Sequence, residues 1–555
     1  MNKAGRKQIL TTSACSRIIL LLAACFLSTS CEPFDAGSPE DYIGQVKPAS
    51  EPNNPPALPG EANKLSAPPA NLKTQPAGGP LSIDITRATL LALENNRSLV
   101  IQQFNPQIKR TLEQKELAVF DPDLTFDFVN NQNKAPFLFF GPTGTAVNKS
   151  RTNSFDVGVG QFLPTGTLLG LTGSTDVDEI ATSNNYVSRI AFSATQSLLR
   201  GFGTNVNLAS VNQARLDTKI SQYELRGFVQ SLVAQIEETY WDYALAERQI
   251  DIYNQSLELA QKQLDETRER INIGKLAQSE LAAAEAELAL RREDLINARS
   301  MLAKTKLNLL RLINPPGSNV WGRELVIESP PVSPSIQLDS VEPHVALALQ
   351  MRPDLNQSKL LLQRDELEIV KTKNGLLPKL DLFITLGKTG YADSFGSSAR
   401  NTNDDYYDAT AGVSLEYPPL NRAARARHLG AVLSRDQAKE SISNLVQLVE
   451  VDVRSAYLEI VRTQEQVAAT AATRRLQEEK LSVETEKFRV GKSTSLLVAQ
   501  TQRDLVAGQI SEIQAVVNYL KAFVELYRLE GSLLERRGIA SPGREPVKLA
   551  DMPGL

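Results

Sequence analysis

The chain is poor in the residues that do chemistry. Three cysteines occur in 555 residues, Cys15, Cys25 and Cys31, and none follows position 31. The folded body therefore closes no internal disulfide, and its stability has to come from packing and assembly. Histidine is scarcer still: only His344, near a helix start, and His428, on a basic helical stretch. That shortage excludes a His/Cys metal cluster and a cysteine nucleophile. No sign of charge prevails either, since the formal net charge is -4, and nothing in that balance asks for a nucleic acid.

Motif fragments are present but incomplete. Gly201-Phe202-Gly203 lacks the third glycine and the strand-to-helix setting of a dinucleotide loop. Leu163-Pro164-Thr165-Gly166 looks like a sortase signal, yet it has no spacer residue and sits mid-chain. The basic run Arg422, Arg425, Arg427 reads as a solvated or interhelical face, with nucleic-acid binding a remote option. Tyr240 and Trp241, with Tyr457 at the repeat-equivalent of Tyr240, read as packing residues and not as a ligand platform. The expectation is a protein that is not an enzyme, with no cofactor, no bound metal and no energy-coupling motif.

What the chain has in plenty is repetition. Gly274 and Gly491 occupy the same place in two copies of one design, offset by 491 − 274 = 217 residues, and the copies align without a gap from Val229–Leu312 to Val446–Leu529. Every seventh residue of the first copy is Val229, Ile236, Tyr243, Ile250, Leu257, Leu264 and Ile271; the second has Val446, Val453, Ile460, Val467, Arg474, Leu481 and Phe488. A sustained seven-residue apolar spacing predicts helices packed along a narrow, left-handed seam. Each copy is then a long helical hairpin reversing at its glycine, with first arms from about Asn207 to Asn272 and Arg422 to Arg489. Arms of that length reach roughly 100 Å, too long for a compact domain, so only a coiled coil or a wall of several copies would hide the stripe.

A second register precedes the hairpins. Ala92-Leu93-Glu94-Asn95-Asn96 aligns with Ala348-Leu349-Gln350-Met351-Arg352, and Pro122-Asp123-Leu124 with Pro378-Lys379-Leu380, both at an offset of 256 (348 − 92). Each copy thus starts with a helical stretch that ends before a proline. The first copy has 256 − 217 = 39 more residues between that proline and its hairpin. They fall where the pattern alternates with period two, at Leu124 to Phe128, Phe155 to Val159, Thr167 to Ser174 and Val187 to Thr195, answered later by Leu380 to Gly387 and Ala409 to Tyr417. Such segments predict half-buried strands, each too short to exclude an ordinary soluble sheet. The extra residues could add a hairpin to the sheet, form an external loop, or fold outside a membrane.

The N-terminus has Lys3, Arg6, Lys7 and Arg17 before the apolar run Ile18–Ala24, the plan of an export signal too short to span as a helix. Leu22-Ala23-Ala24-Cys25 resembles a bacterial lipobox, in which Cys25 is acylated and becomes the first residue; Cys31 is the alternative, and a plain export signal is the blander reading. From Cys31 to Pro80 the chain holds eleven of its 29 prolines, which predicts an extended tether. A lipid on a tether places the body at a membrane.

Taken with Leu163-Pro164-Thr165-Gly166-Thr167, Gln196-Ser197-Leu198-Leu199-Arg200-Gly201-Phe202-Gly203 and the tip Phe488-Arg489-Val490-Gly491-Lys492-Ser493, these segments resemble the TolC-like outer membrane efflux proteins from Leu81 to about Gly531. The resemblance implies an α+β membrane protein: a trimeric outer membrane β-barrel continued by a long periplasmic α-helical coiled-coil barrel, with two structural repeats per chain. It implies a homotrimer in the outer membrane of a Gram-negative-type bacterium, working with a periplasmic adaptor protein and an inner membrane transporter. Its tips, here Ile273, Gly274, Lys275 and Val490, Gly491, Lys492, close the entrance and dock the adaptor. Some members carry acidic residues six and nine positions after the second glycine, where this chain has Leu497 and Gln500, so an acidic selectivity ring is not expected there. Glu280 keeps the acidic position of the first tip, and its expected partner in a gating latch is Arg489 or Lys492.

The chain accordingly divides into a lipoprotein signal peptide (1–24), a tether (25–80), a first repeat (81–313), a linker (314–340), a second repeat (341–533) and a C-terminal tail (534–555). The expected function is the passive exit duct of a tripartite efflux pump or a type I secretion system. The rival is a lipid-anchored periplasmic coiled-coil spacer or adaptor without a channel, against which the strand segments and the twofold hairpin argue.

Overall fold

A computed structural model describes residues 47–48, 80–138, 145–180, 183–316, 320–333 and 338–548. Cys25, Cys31, the signal peptide and nearly all of the tether lie outside the described residues. In chain order the elements are β1 (Lys47–Pro48), β2 (Leu81–Ile83), α1 (Ile85–Asn95), α2 (Arg97–Leu117), a 3-10 turn at Ala118–Phe120, then β3 (Asp123–Leu138), β4 (Thr145–Phe162), β5 (Thr167–Ile180) and β6 (Ser183–Ser197). α3 (Thr204–Asn207), α4 (Ala209–Asn272), α5 (Ser279–Ile313) and β7 (Leu325–Ile327) follow. The second half runs α6 (Val341–Met351), α7 (Pro353–Asn374), β8 (Lys379–Ala392), α8 (Phe395–Asn401), β9 (Tyr407–Glu416), α9 (Arg422–Arg489), α10 (Ser495–Leu529), α11 (Leu533–Arg536) and β10 (Ile539–Ala540).

The helix limits follow the seam. In α9 the buried positions Val449, Val453, Ala456, Ile460 and Thr463 step by four and three, which is the packing spacing of a coiled coil. α4 and α9 end at Asn272 and Arg489, and the chain then turns through Gly274 at φ 75° and Gly491 at φ 78°. Side chains avoid this left-handed region, and glycine enters it freely. The far ends of both return helices close in the same way, on Asn314 at φ 43° and on Gly531 at φ 77°, again 217 residues apart (531 − 314). Positions at the sequence offsets share their environment: Ala92 and Ala348, Ile236 and Val453, and Leu309 and Leu526 are all fully buried.

Among the described residues two compact units result, one within 109–218 and 361–438, the other within 80–108, 219–360 and 439–548. The second unit holds the apolar cores. One gathers Ala88 and Ala92 of α1, Val229 to Tyr243 of α4 and the last turn of α5; its counterpart gathers Val345 and Ala348 of α6, Val449 to Ile460 of α9 and Tyr519 to Leu526 of α10. A third cluster, Ala260, Leu264, Ala284 and Leu288, zips the first hairpin nearer its tip. The linker contributes structure as well, because β7 pairs in parallel with β2 through Leu81↔Leu325 and Ile83↔Ile327. The tail packs too: all of α11 after its first residue and β10 belong to it, and Leu534 is fully buried.

The first unit is built on one antiparallel sheet in the order β3-β4-β5-β6-β8-β9. The 39 additional residues are therefore a hairpin in that sheet, four strands before α4 against two before α9. Its strands have 10 to 18 residues, longer than the apolar alternation predicts. Polar stretches such as Asn130-Asn131-Gln132-Asn133 continue the pairing without an apolar signature. Along the register Asp123 meets Gly160, Gly160 meets Gly170, Gly170 meets Ser193 and Ser193 meets Thr385. Asp123 begins β3, whereas Thr385 lies six residues into β8 (385 − 379). Six residues give about 20 Å of stagger across four strand spacings of about 19 Å in total. The sheet is thus slanted by about 45°, the tilt of strands that curl toward closure.

Candidate functional site: the sheet faces and the hairpin tips

Pleating sorts the sheet into two chemically opposite faces. One bears Leu124, Phe126 and Phe128 of β3, Phe155 and Val157 of β4, Ile190 of β6, Leu382 and Ile384 of β8, and Val413 and Leu415 of β9, all exposed, Leu124 to 75%. The other bears Asp127, Asp156, Asp176, Asp178, Asp381 and Asp408, with Arg189 bonded to Asp408 at 2.5 Å. Cross-strand bonds tie this polar face together, from Ser154 Oγ to Asp176 at 2.5 Å and from Thr152 Oγ1 to Asp178 at 2.6 Å. Such a sheet suits lipid on one side and water on the other. Aromatic rings mark both ends of the strands: Phe120 stacked on Phe162 and exposed Tyr417 at the helix side, Tyr391 against Tyr406 and exposed Tyr407 at the far side. Amphipathic rings collect at membrane interfaces for the same reason.

Two sequence motifs meet where strands become helices. Leu163-Pro164-Thr165-Gly166-Thr167 is the tight turn between β4 and β5, with Gly166 at φ 89° and its NH donating to Leu163 O at 2.9 Å. Gly166 lies so close to the Gly201 carbonyl that a Cβ would overlap it at 2.2 Å. Asn207 Nδ2 donates to Pro164 O and to Gly201 O, and Asn374 Oδ1 accepts from Gly201 N at 2.8 Å. The resemblance of these motifs to the sortase and dinucleotide signatures is thus a by-product of a structural junction.

At the tips Ile273, Gly274, Lys275, Val490, Gly491 and Lys492 are all exposed. Glu280 meets neither of its expected partners: its carboxylate accepts from Ser495 Oγ, and Arg489 turns back to Glu486 of its own helix at 3.1 Å. Ser495 opens α10 and so faces the start of α5, whereas Arg489 closes α9 on the exposed side of the turn, which explains the exchange. Leu497 and Gln500 are exposed and carry no charge. The second tip is braced internally by Glu484, which accepts from Ser493 Oγ and from Lys487 Nζ at 3.1 Å. The Ser493 bond, with Lys487 beside it, holds the Glu484 carboxyl below its ordinary range. Thr494 caps α10 by accepting from Leu497 N at 3.3 Å.

Sequence reasoning did not foresee how the two hairpins join. Arg270 of α4 lies 4.7 Å above the Phe488 ring and donates to Phe488 O at 3.3 Å. Deeper in, Glu287 and Arg291 of α5 are both buried and paired at 2.5 Å, and Arg503 of α10 reaches Glu287 at 2.8 Å. The i,i+4 spacing of Glu287 and Arg291 was visible in the sequence, but their burial and the third partner were not. A second buried network closes the other end of α10. Glu530, fully buried, takes His344 Nδ1 at 2.6 Å and Arg536 at 2.9 Å and also accepts from Ser532 Oγ. Burial would push its carboxyl up, but the His344 bond and the Arg536 charge outweigh burial and hold it below the ordinary range. Arg537 and Glu237 pair beside it at 2.6 Å, and Tyr240 packs edge-on against Trp241 as expected of packing residues.

A slanted antiparallel sheet with one apolar and one polar face, in a chain that also has paired glycine-tipped helical hairpins, defines a β-sheet membrane protein with a long helical body. The model of the family described as outer membrane efflux protein matches residues 151–315 and 345–532. The chain belongs to that family, and its place is the outer membrane. Among curated relatives it is 24% identical over 336 residues to the pyoverdine export outer membrane protein OpmQ of Pseudomonas putida, covering 58% of this chain and 65% of that one, just under two thirds of its length. To the outer membrane efflux protein BepC of Brucella suis it is 23% identical, over 64% and 74% of the two chains. Among solved structures the outer-membrane channel OprN superposes with a TM-score of 0.62 at 16% identity, over 81% of this chain and 90% of OprN. The CmeC outer membrane channel of Campylobacter jejuni gives 0.60 at 14% identity, over 87% and 94%. These likenesses show a shared fold.

Proposed function

We propose that three copies of this chain close one channel, with their sheets forming a barrel in the outer membrane and their helical hairpins a hollow wall in the periplasm. The observation that carries this reading is the slanted sheet with one apolar and one carboxylate-bearing face, whose edge strands β3 and β9 are each paired on one side among the described residues. Lipid does not tolerate an open edge, and six strands are too few to close around a lumen alone. The helices agree: Val451 and Leu458 of α9 and Ile296 of α5 are 59%, 67% and 65% exposed in the single chain, a second apolar stripe that asks for neighbouring copies.

In this reading the duct is passive. An inner membrane transporter supplies energy, and a periplasmic adaptor docks on Ile273–Lys275 and Val490–Lys492. The Arg270–Phe488, Glu280–Ser495 and Glu287–Arg503 contacts hold the two hairpins of a chain together in the closed state. Acylation of Cys25, or of Cys31, tethers the body to the membrane through the proline-rich segment. Relatives named for efflux and export favour an efflux duct over type I secretion, and OpmQ's pyoverdine remains that protein's cargo. The test is extraction from outer membranes in detergent, mass measurement and planar-bilayer recording. A trimer that conducts is expected; a monomer that forms no pore would defeat the channel and revive the spacer.

A further inference from the structure

The chain brings six strands to the sheet, four before α4 and two before α9, so one hairpin of the first half has no counterpart in the second. We infer that this hairpin is barrel wall and that β3 is the edge that receives β9 of the next copy, so that three copies close an eighteen-stranded barrel. The inference rests on the trimeric reading above and adds to it which strands meet and how many line the pore.

Several observations place the hairpin in the wall. β3 and β4 pair residue by residue from Asp123↔Gly160 to Leu138↔Thr145, and β4 continues into β5 from Phe162↔Leu168 to Ser150↔Ile180. A lid or an external loop needs no such uninterrupted register. The apolar face also runs unbroken to the sheet margin, where Leu124, Phe126 and Phe128 are the most exposed residues of the band on that side, at 75%, 69% and 54%. Large side chains left bare on a strand edge are costly in water and suited to lipid. The slant begins at β3 itself, since the stagger of six residues is counted from Asp123.

Polarity decides which edges fit. β3 starts where α2 and its 3-10 turn end, and β9 stops just before α9 starts, so both have their helix-side ends at Asp123 and Glu416. They run in opposite directions, and β9 of one copy beside β3 of the next continues the antiparallel pattern without a break. Eighteen strands fall in the range that leaves a water-filled lumen. The lumen then carries the acidic face described above.

The test uses the full-length protein, whose native cysteines all precede the folded body, and the protein with no introduced cysteine is oxidised beside each variant as the control for Cys25 and Cys31. Val413→Cys in β9 is combined in turn with Leu124→Cys, Thr125→Cys, Phe126→Cys, Asp127→Cys and Phe128→Cys in β3. A second series places the partner at Leu169→Cys or Leu171→Cys in β5, the strand that would be the edge if the hairpin lay outside. Samples are oxidised in the membrane, and only material that runs as a trimer before denaturation is scored. Expected is a covalent ladder up to trimer from an even-numbered β3 position, moving two residues along β3 when Val413→Cys is replaced by Ala411→Cys. Crosslinks to β5 instead, an intrachain disulfide, or no ladder from material that is trimeric would overturn the inference while leaving the channel standing. Failure to form trimers before oxidation would count against the channel itself.

Discussion

At the scale of single residues, glycines that share a backbone conformation stand under unequal constraint. Gly274 and Gly531 both sit at positive φ, yet a Cβ on Gly274 meets nothing within 4 Å, whereas one on Gly531 comes within 2.9 Å of the Met351 carbonyl. Gly274→Ala is expected to cost about 1 kcal/mol, the left-handed penalty alone. Gly531→Ala adds a clash with backbone and is expected to cost clearly more, about 2 to 4 kcal/mol. Denaturant midpoints of the two variants check the order. Glu530 sets a pH dependence at the same place. Its carboxyl is held below the unfolded value by His344 and Arg536 against the penalty of burial, so its contribution is present above an ordinary carboxylate pKa of about 4.3 and is lost as pH falls through the lower folded value. The melting temperature should therefore drop as pH is lowered from about 4.3, and Glu530→Gln should weaken that acid dependence while lowering stability at neutral pH by about 3 kcal/mol. An unchanged acid limb in Glu530→Gln would exclude this network as its source.

At the scale of elements, the helices were legible and the strand lengths were not. The arms expected from about Asn207 to Asn272 and from Arg422 to Arg489 lie within two residues of α4 and α9, and the seven-residue spacing of Val229 through Ile271, and of Val446 through Phe488, runs to one residue before their C-terminal ends, because a packed seam shows its period as far as it is packed. Strands lack that redundancy: apolar alternation marks only the lipid-compatible stretch, and the polar continuation of β3 beyond Phe128 is held by pairing alone. At the tips, the sequence offers Glu280 a charged partner, Arg489 or Lys492. A hydroxyl four residues past the second glycine, Ser495, takes that place. Glu280→Ala and Ser495→Ala should each raise the closed-state conductance in bilayers, whereas Arg489→Ala, whose partner Glu486 belongs to its own helix, should leave it unchanged. If Arg489→Ala opened the channel as far as Glu280→Ala, the hydroxyl latch would be wrong.

At the scale of the whole molecule, the single chain leaves bare, among the described residues, an apolar sheet face, two strand edges and a stripe of large aliphatic residues along its longest helix. Leu458→Glu places a charge on that stripe without touching the buried seam residue Ile460 beside it. It should lower the trimer fraction on size-exclusion in detergent while the helical circular dichroism of the protein persists; full trimer yield would show that the stripe faces solvent or another partner.

The sequence by itself determined the helical hairpins, their reversal points, the shared plan of the two halves and the family, because each rests on local spacing or on motifs that survive in one dimension. Only the tertiary structure decided that the extra residues are a hairpin of the same sheet, that the sheet is slanted, and that Glu280 meets Ser495, Glu287 meets Arg503 and Glu530 meets His344 and Arg536. Glu280 and Ser495, Glu287 and Arg503, and Glu530 and His344 lie 186 or more residues apart, and Glu530 and Arg536 lie on either side of the break between α10 and α11, so which polar groups share a desolvated site is set by how the helices are brought together.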